Sequence, residues 1–385
     1  MRVFLCDRSN AGGIWNVLHP VAAALRDRGD DVTCVRWRDK PAAYEDAPDG
    51  VRVAQIDVPP RRRAADVLRQ SAAFGRSFAG LLRRERPDAV HTNFVLPGAA
   101  ARVAARAAGV PRVVLCRHEL ATSLNRPLRV LERTTGRLAA VRIHVSREVA
   151  RSYGAAGAAV WDERPGVPPA GDVVVHNGVS ATGPAVDTPR EPGLVVCAGR
   201  LVDLKGQRVL LRAFADVAGR RPAARLRLIG RGPDEAGLRA LADELGVAAR
   251  VDFAGWVPHE EVLRQFAAAD AVAVPGGREG FGLTLAEACA CGGRVVAADA
   301  PAFREILGPG GTGWFPLGDA PALGAELLRL LDDPAADATQ TAARRSRVLG
   351  AFTVDRCVAG HLAALDGTAG RAAVATTSTP AGAAG

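Results

Sequence analysis

The chain of 385 residues is 48% hydrophobic and 24% charged, the balance of a soluble globular protein with room for two or three domains. No apolar run approaches the roughly 18 residues of a membrane span, and seven scattered cysteines without a paired Cys/His spacing exclude a disulfide framework and a zinc site; they read as small buried hydrophobes in a reducing cytosol. The net charge of +9 sits in the first half, where residues 1–180 hold 28 Lys/Arg against 18 Asp/Glu while residues 181–385 hold 22 against 23, which points to an anionic acceptor or membrane surface and, with few aromatics and no recognised motif, away from nucleic acid.

In chain order, "MRVFLCDRSN" meets a charge after four apolar residues and reads as a first strand, not a signal peptide. Gly12-Gly13 then leads into the helical pattern "IWNVLHPVAAALRDRG" and the strand "DVTCVRW". The helix "ADVLRQSAAFGRSFAGLLRRER" carries Val67, Phe74, Phe78 and Leu81 on one side and feeds "PDAVHTN"; "RVVLCRH", "VRIHVS" and "DVVVHNGV" follow. Near-continuous apolar strands separated by helices imply a parallel sheet covered on both faces. The Gly/Pro-rich stretch 177–193 marks a linker, after which "LVVCAG", "RLRLIG", "RVDFAG", "AVAVP" and "RVVAAD" repeat the alternation.

The expected fold is therefore α/β, with two Rossmann-like doubly wound domains facing across a cleft. The first covers 1–178, completed by a helix within 352–367, and accepts the second substrate. A linker spans 179–193, a nucleotide-binding domain 194–351, and a disordered tail 368–385.

In such sheets ligands sit outside the carboxyl ends of the strands, where helix N-termini offer free N–H groups. The suggestive residues fall at such ends. Glu279 lies in a Gly-rich turn, Gly282-Leu283-Thr284 opens a helix, and Glu287 sits one turn inside it. An anion held by that helix start would have a carboxylate on each side, ready to accept hydrogen bonds from a sugar and from a ribose. That is the outline of a nucleotide sugar. Only two of the 50 cations are lysines, Lys40 and Lys205, and Lys205 stands with Arg200 behind the first strand of the second domain. No Asp-x-Asp follows a strand to hold a metal, so Arg200 and Lys205 are expected to neutralise a departing diphosphate without any cofactor. Gly12 and Gly13 permit close approach of a phosphate or sugar, as do Gly230 and Gly232. His118 is placed to meet the sugar, and Gly255-Trp256-Val257 to meet a base. His19, His144, His176 and His361 read as packing or surface residues.

With "AGGIWNVLHPVAAALRDRGDDVTCV", "RPDAVHTN", "HNGVS", "GRLVDLKG", "LIGRGP", "FAGWV" and the E-x7-E segment "EGFGLTLAEA", the chain resembles the retaining glycosyltransferases of family 4, of GT-B architecture. The resemblance implies that Arg200 and Lys205 grip the donor diphosphate and Glu287 binds the ribose. Glu279, with the amides of Gly280, Phe281 and Gly282, would hold the sugar hydroxyls. Gly13 would lie under the phosphate or acceptor, His118 would touch the sugar, and the backbone of Val257 would read the base. The chain departs from the family at Ala300-Pro301-Ala302, where a glycine pair is usual, while Glu305 matches; "WNVLHP" lacks the usual polar residues.

The activity so implied is transfer from a nucleoside-diphosphate sugar, a UDP-sugar before a GDP-sugar, to a hydroxyl of a small-molecule, glycan or lipid acceptor. Configuration is retained by front-face displacement. The arginine and alanine bias suggests a high-GC bacterium, with carbohydrate or secondary-metabolite biosynthesis as the setting. Alternatives are a cytoplasmic enzyme that also touches anionic membrane through a basic 60–86 helix, a nucleotide-sugar epimerase, and a non-catalytic nucleotide-sugar binder. The oligomeric state is not encoded in any pattern of the sequence.

Overall fold

The computed structural model describes residues 1–7, 13–38, 47–60, 66–161, 170–180, 188–308, 310, 313–333, 335 and 337–367. Short apolar runs become strands buried on both faces: all five residues of β4 (Ala89–Asn93) and all six of β12 (Ala269–Val274) are buried. The first sheet also holds β1 (Arg2–Asp7), β2 (Asp31–Arg38), β3 (Arg52–Asp57), β5 (Arg112–Arg117), β6 (Val141–His144), β7 (Ala159–Val160) and β8 (Gly171–Val174), ordered β3-β2-β1-β4-β5-β6-β8-β7. The second holds β9 (Glu191–Ala198), β10 (Arg225–Ile229), β11 (Val251–Gly255), β13 (Val295–Ala298) and β14 (Trp314–Phe315) with β12, ordered β11-β10-β9-β12-β13-β14. Every pairing is parallel, for example Val3 against both Val32 and Ala89, and Val196 against both Arg227 and Val272.

Parallel strands need crossovers, which here are amphipathic helices. In the first half these are α1 (Gly13–Asp27), α2 (Asp66–Glu85), α3 (Gly98–Ala107), α4 (Arg126–Gly136) and α5 (Arg147–Ser152). The second half has α6 (Gln207–Arg220), α7 (Glu235–Glu244), α8 (His259–Ala268), α9 (Leu283–Ala290), α10 (Pro301–Leu307), α11 (Ala320–Asp332) and α12 (Ala338–Ala351). Helix α2 shows how the pattern is spent. Gln70, Phe74, Phe78 and Leu82 are buried, with Phe74 and Phe78 stacked 5.5 Å apart. The inward stripe ends on Leu82, not Leu81, which is only half-buried together with Val67. Each buried phenylalanine contributes about 2–3 kcal/mol of transfer free energy. Arg61, Arg62 and Arg63 of the expected basic helix lie outside the described residues, as do Gly12 and the tail 368–385.

The strand order reverses between β1 and β4 in one sheet and between β9 and β12 in the other, so the two switch points lie where a crevice for ligands forms. Strand β9 begins at Glu191, three residues before the expected boundary at 194. Glu191 pairs with Ala269, and Asp270 accepts a hydrogen bond from the Gly193 amide at 2.9 Å, so a Pro/Gly-containing segment still joins the sheet. After α12 the chain crosses back. Val179 bridges Thr353, Thr353 caps α13 (Val354–Asp366), and Arg112 and Arg28 bind Ala364 O and Asp366 of that helix at 2.7 and 2.6 Å. Helix α13 thus packs on the first half of the chain.

All seven cysteines are buried and unbonded. No helix among the described residues is long and apolar enough to cross a membrane.

Candidate active site

The second sheet presents two turns side by side. After β9 the chain passes Arg200, makes a short 3-10 turn at Asp203–Lys205 and enters α6 through Gly206, whose φ of 71° is left-handed. A Cβ on Gly206 would stand 2.7 Å from Pro275 O, so the β9–α6 and β12–α9 turns meet backbone to backbone. That contact sets Lys205 Nζ 2.7 Å from Glu279 Oε1. The side chains are only 26% and 13% exposed, so solvent screens this pair less than a surface pair. Arg200 is exposed and makes no side-chain hydrogen bond or ion pair among the described residues.

Gly282, with φ of 103°, opens α9; a Cβ there would lie 2.6 Å from the Phe303 ring. Phe281 is buried against Phe352 and His176, with ring centroids 5.6 and 6.0 Å away. Thr284 is half-buried in the first turn of α9. One turn further in, Glu287 is pushed up to about 8, chiefly by burial, with Glu279 adding to the rise and Lys205 opposing it. Glu287 is therefore largely protonated at neutral pH and offers both a donor and an acceptor. His259 Nε2 lies 3.7 Å from its Oε1. The described residues thus bring together Lys205, Glu279, Glu287 and the α9 N-terminus.

Gly230 and Gly232 have a local reason for being glycine. Cβ atoms there would stand 2.1 Å from Gly199 O and 2.1 Å from Leu201 O, so their absence lets the β9 and β10 ends pack. Val257 is half-buried at the end of β11, beside the exposed Trp256.

From the first half, Gly13 begins α1, where a Cβ would lie 3.3 Å from the Leu283 methyl across the cleft. His118 follows β5, and its backbone carbonyl stands so close to Gly280 that a Cβ at 280 would lie 1.9 Å away. Its Nε2 is 2.9 Å from Asn93 Oδ1, and burial beside His361 drops it to about 3, so the imidazole is neutral. Next to it, Arg117 is bonded to Glu132 at 3.2 Å and stacked 4.1 Å over Tyr153. Phe94, Val95, Cys116, Arg117, His118, Glu119, Glu132 and Tyr153 line a small open cavity of about 20 Å³.

Several contacts that hold the halves together carried little or no sequence signal. Glu305 on α10 accepts the Arg147 amide on both carboxylate oxygens, at 2.9 and 3.0 Å, and pairs with His176 Nε2 at 2.7 Å. Ser146 Oγ donates to Gly280 O. His176 thus packs, as expected, against Phe281 and Phe352, and in addition bridges the halves through Glu305. His144 is buried and bonded to Asp172 at 2.8 Å, and His361, on the inner face of α13, is buried beside His91. Only the exact fit to the family at Glu305 pointed to this latch.

A model described as glycosyl transferases group 1 matches residues 184–347, and one described as glycosyl transferase 4-like domain matches 12–178. The D-inositol 3-phosphate glycosyltransferase of Thermomonospora curvata is 32% identical over 93% of this chain and 92% of its own. A GDP-mannose-dependent monoacylated alpha-(1-6)-phosphatidylinositol monomannoside mannosyltransferase of Corynebacterium glutamicum is 37% identical over 40% of this chain and 42% of its own. In fold, the chain is similar to sucrose-phosphate synthase from Thermosynechococcus elongatus, with TM-score 0.78 and 22% identity over 94% of this chain and 98% of that one. It is also similar to Anabaena HepE in complex with UDP-glucose, with TM-score 0.75 and 20% identity over 95% and 100%. Two facing parallel sheets, a Gly-rich turn whose Glu279 meets Lys205 at their cleft, and matches along both halves lead to one conclusion: the chain belongs to the group 1 glycosyltransferases of GT-B architecture.

Proposed function

We propose that this glycosyltransferase takes a nucleoside-diphosphate sugar as donor, a UDP-sugar first and a GDP-sugar second, and transfers the sugar with retention to a hydroxyl acceptor. The observation that carries this reading is the Lys205–Glu279 pair beside the glycine-opened start of α9, with the mostly buried Glu287 one turn in. Arg200 and Lys205 take the diphosphate together with the α9 amides. Glu279 and the amides of Gly280, Phe281 and Gly282 hold sugar hydroxyls, and Glu287 meets the ribose. Gly13 and His118 close the site from the other half, and Val257 lies toward the base.

Glu279 is engaged by Lys205 and is assigned to holding hydroxyls, so we assign no carboxylate as nucleophile. The bond from the anomeric carbon to the diphosphate oxygen breaks while the acceptor oxygen bonds to the same face. The acceptor proton passes to the departing diphosphate, whose charge Arg200 and Lys205 stabilise without a metal. The relatives named for D-inositol 3-phosphate make a phosphorylated polyol the first acceptor to try.

Thermal-shift screening of UDP-, GDP- and TDP-sugars, then product NMR with the tightest donor, tests the reading. A retained anomer and turnover unaffected by chelator support it. An inverted product, or activity lost to chelator and restored by magnesium, overturns the mechanism. Donor consumed without acceptor would mark an epimerase.

A second reading concerns location. On α2, Leu68 is 78% exposed among the exposed Arg69, Arg76, Arg83 and Arg84, a face suited to anionic lipid. Flotation with anionic vesicles at low salt tests it, and absence of binding ends it.

A further inference from the structure

A chain of four polar side chains runs from the cleft into the core of the first half, and its hydrogen-bond directions can be deduced from one end. Asn93 Nδ2 lies 3.1 Å from Cys6 O, a group that only accepts, so the amide orientation is set. The same Nδ2 is 3.2 Å from His91 Nδ1, which must then accept, leaving the proton of a neutral His91 on Nε2. That Nε2 is 3.0 Å from His361 Nδ1, which accepts in turn and leaves the His361 proton on its own Nε2. At the other end, Asn93 Oδ1 accepts from His118 Nε2 at 2.9 Å. Every link has a single polarity.

Both ends of the chain are informative. Among the described residues His361 Nε2 is buried with no partner, an uncompensated donor that costs stability. His118 Nδ1 makes no hydrogen bond among the described residues, and the half-buried His118 side chain lines the small cavity beside Arg117. Burial holds all three imidazoles neutral, with His91 well below its ordinary value, His361 near 4 and His118 near 3. Ligand-type atoms of His91, Cys116 and His361 lie within 4.8 Å of one another, but the hydrogen-bonded chain accounts for both nitrogens of His91 and one of His361 without an ion.

We propose that Asn93, His91 and His361 are positioning residues that lock His118 in the Nε2–H tautomer, so that its Nδ1 lone pair faces the cleft as a fixed acceptor for a hydroxyl of the bound sugar. This deepens the reading above, because it rests on His118 meeting the sugar. It also gives α13 a part in the site. The helix that crosses back to the first half supplies the last acceptor of the chain, so its docking and the presentation of His118 are coupled.

The test has three parts. Two-bond proton–nitrogen correlation spectra of the histidine-labelled free protein at neutral pH should show His118 as the Nε2–H tautomer; an Nδ1–H form overturns the proposal outright, whatever the variants do. His91→Leu removes both links, whereas in His91→Gln the side-chain oxygen can accept from Asn93 and the amide can donate to His361. We expect His91→Leu to lower kcat on the order of tenfold or more, with donor KM within about threefold and a mixed His118 tautomer, and His91→Gln to restore most of the loss. Wild-type kcat in a folded His91→Leu protein, or no rescue by glutamine, overturns the positioning role. His118→Ala separates the two claims. If it retains full turnover, the sugar contact itself is wrong; if it loses turnover while His91→Leu does not, only the positioning chain fails.

Discussion

Lys205 Nζ and Glu279 Oε1 stand 2.7 Å apart although 74 residues separate them, and the contact joins the two turns that leave β9 and β12. The cation assigned to the diphosphate and the carboxylate assigned to the sugar thus satisfy one another. A donor would enter by sharing that pair, with its phosphate oxygens taking the ammonium and its hydroxyls the carboxylate. Each group stays partnered throughout, which limits the desolvation cost of binding.

The first prediction follows from this pair. Lys205→Ala should lower kcat about a hundredfold, the usual loss when a group aimed at developing charge is removed. Because the two side chains act as a unit, Lys205→Ala combined with Glu279→Gln should cost much less than the sum of the single losses. Steady-state kinetics on the four proteins measures this, and additive losses would show that the pair is not shared with the donor.

A second prediction concerns closure. Gly280→Ala places a methyl group 1.9 Å from His118 O, a backbone atom that cannot yield without parting the two halves. A misplacement of about 1 Å at a reacting centre costs on the order of a hundredfold in kcat/KM. We expect that loss with a melting temperature close to that of the parent. A fully active Gly280→Ala enzyme would mean that the halves need not meet here.

Third, Glu287 gives stability a defined pH dependence. Its folded-state value of about 8 lies above the ordinary 4.5, so between those values the folded state holds more protons than the unfolded one. By linkage, stability falls as pH rises through that window. The cost is absent below pH 4.5 and complete above pH 8. Denaturant midpoints measured across the window should slope downward for the parent and flatten for Glu287→Gln.

Fourth, the latch at Glu305 should bias the halves toward one another before donor binds. Removing its carboxylate frees the Arg147 amide and His176 together. Glu305→Ala should increase the radius of gyration of the free protein in small-angle scattering and raise donor KM about tenfold, within the usual range of coupling energies. An unchanged scattering profile would reduce Glu305 to a local helix contact.

How much of this was legible in the sequence depended on whether the signal was local. The alternation of apolar runs and helical stripes, the glycines before α1 and α9, the rare lysine at 205 and the Glu279–Glu287 spacing are all short-range patterns, because strand burial, helix period and turn geometry are decided within a few residues. These sufficed for two doubly wound halves and for most of the donor-side candidates. Distant partnerships were not legible. Nothing near Lys205 says that Glu279 will accept from it, nothing near His176 points to Glu305, and nothing in "AGHLAALD" marks His361 as the end of a chain that begins at His118. The start of β9 at Glu191 went unread for the same reason, since its partner Ala269 lies 78 residues away in the sequence. Such contacts arise only when parallel strands and crossover helices bring remote carboxyl ends to one cleft. There, burial raises Glu287 and leaves His91, His118 and His361 neutral. The tertiary structure therefore decided which side chains pair, which carry charge and which face the cleft, while the sequence alone had already determined the elements that present them.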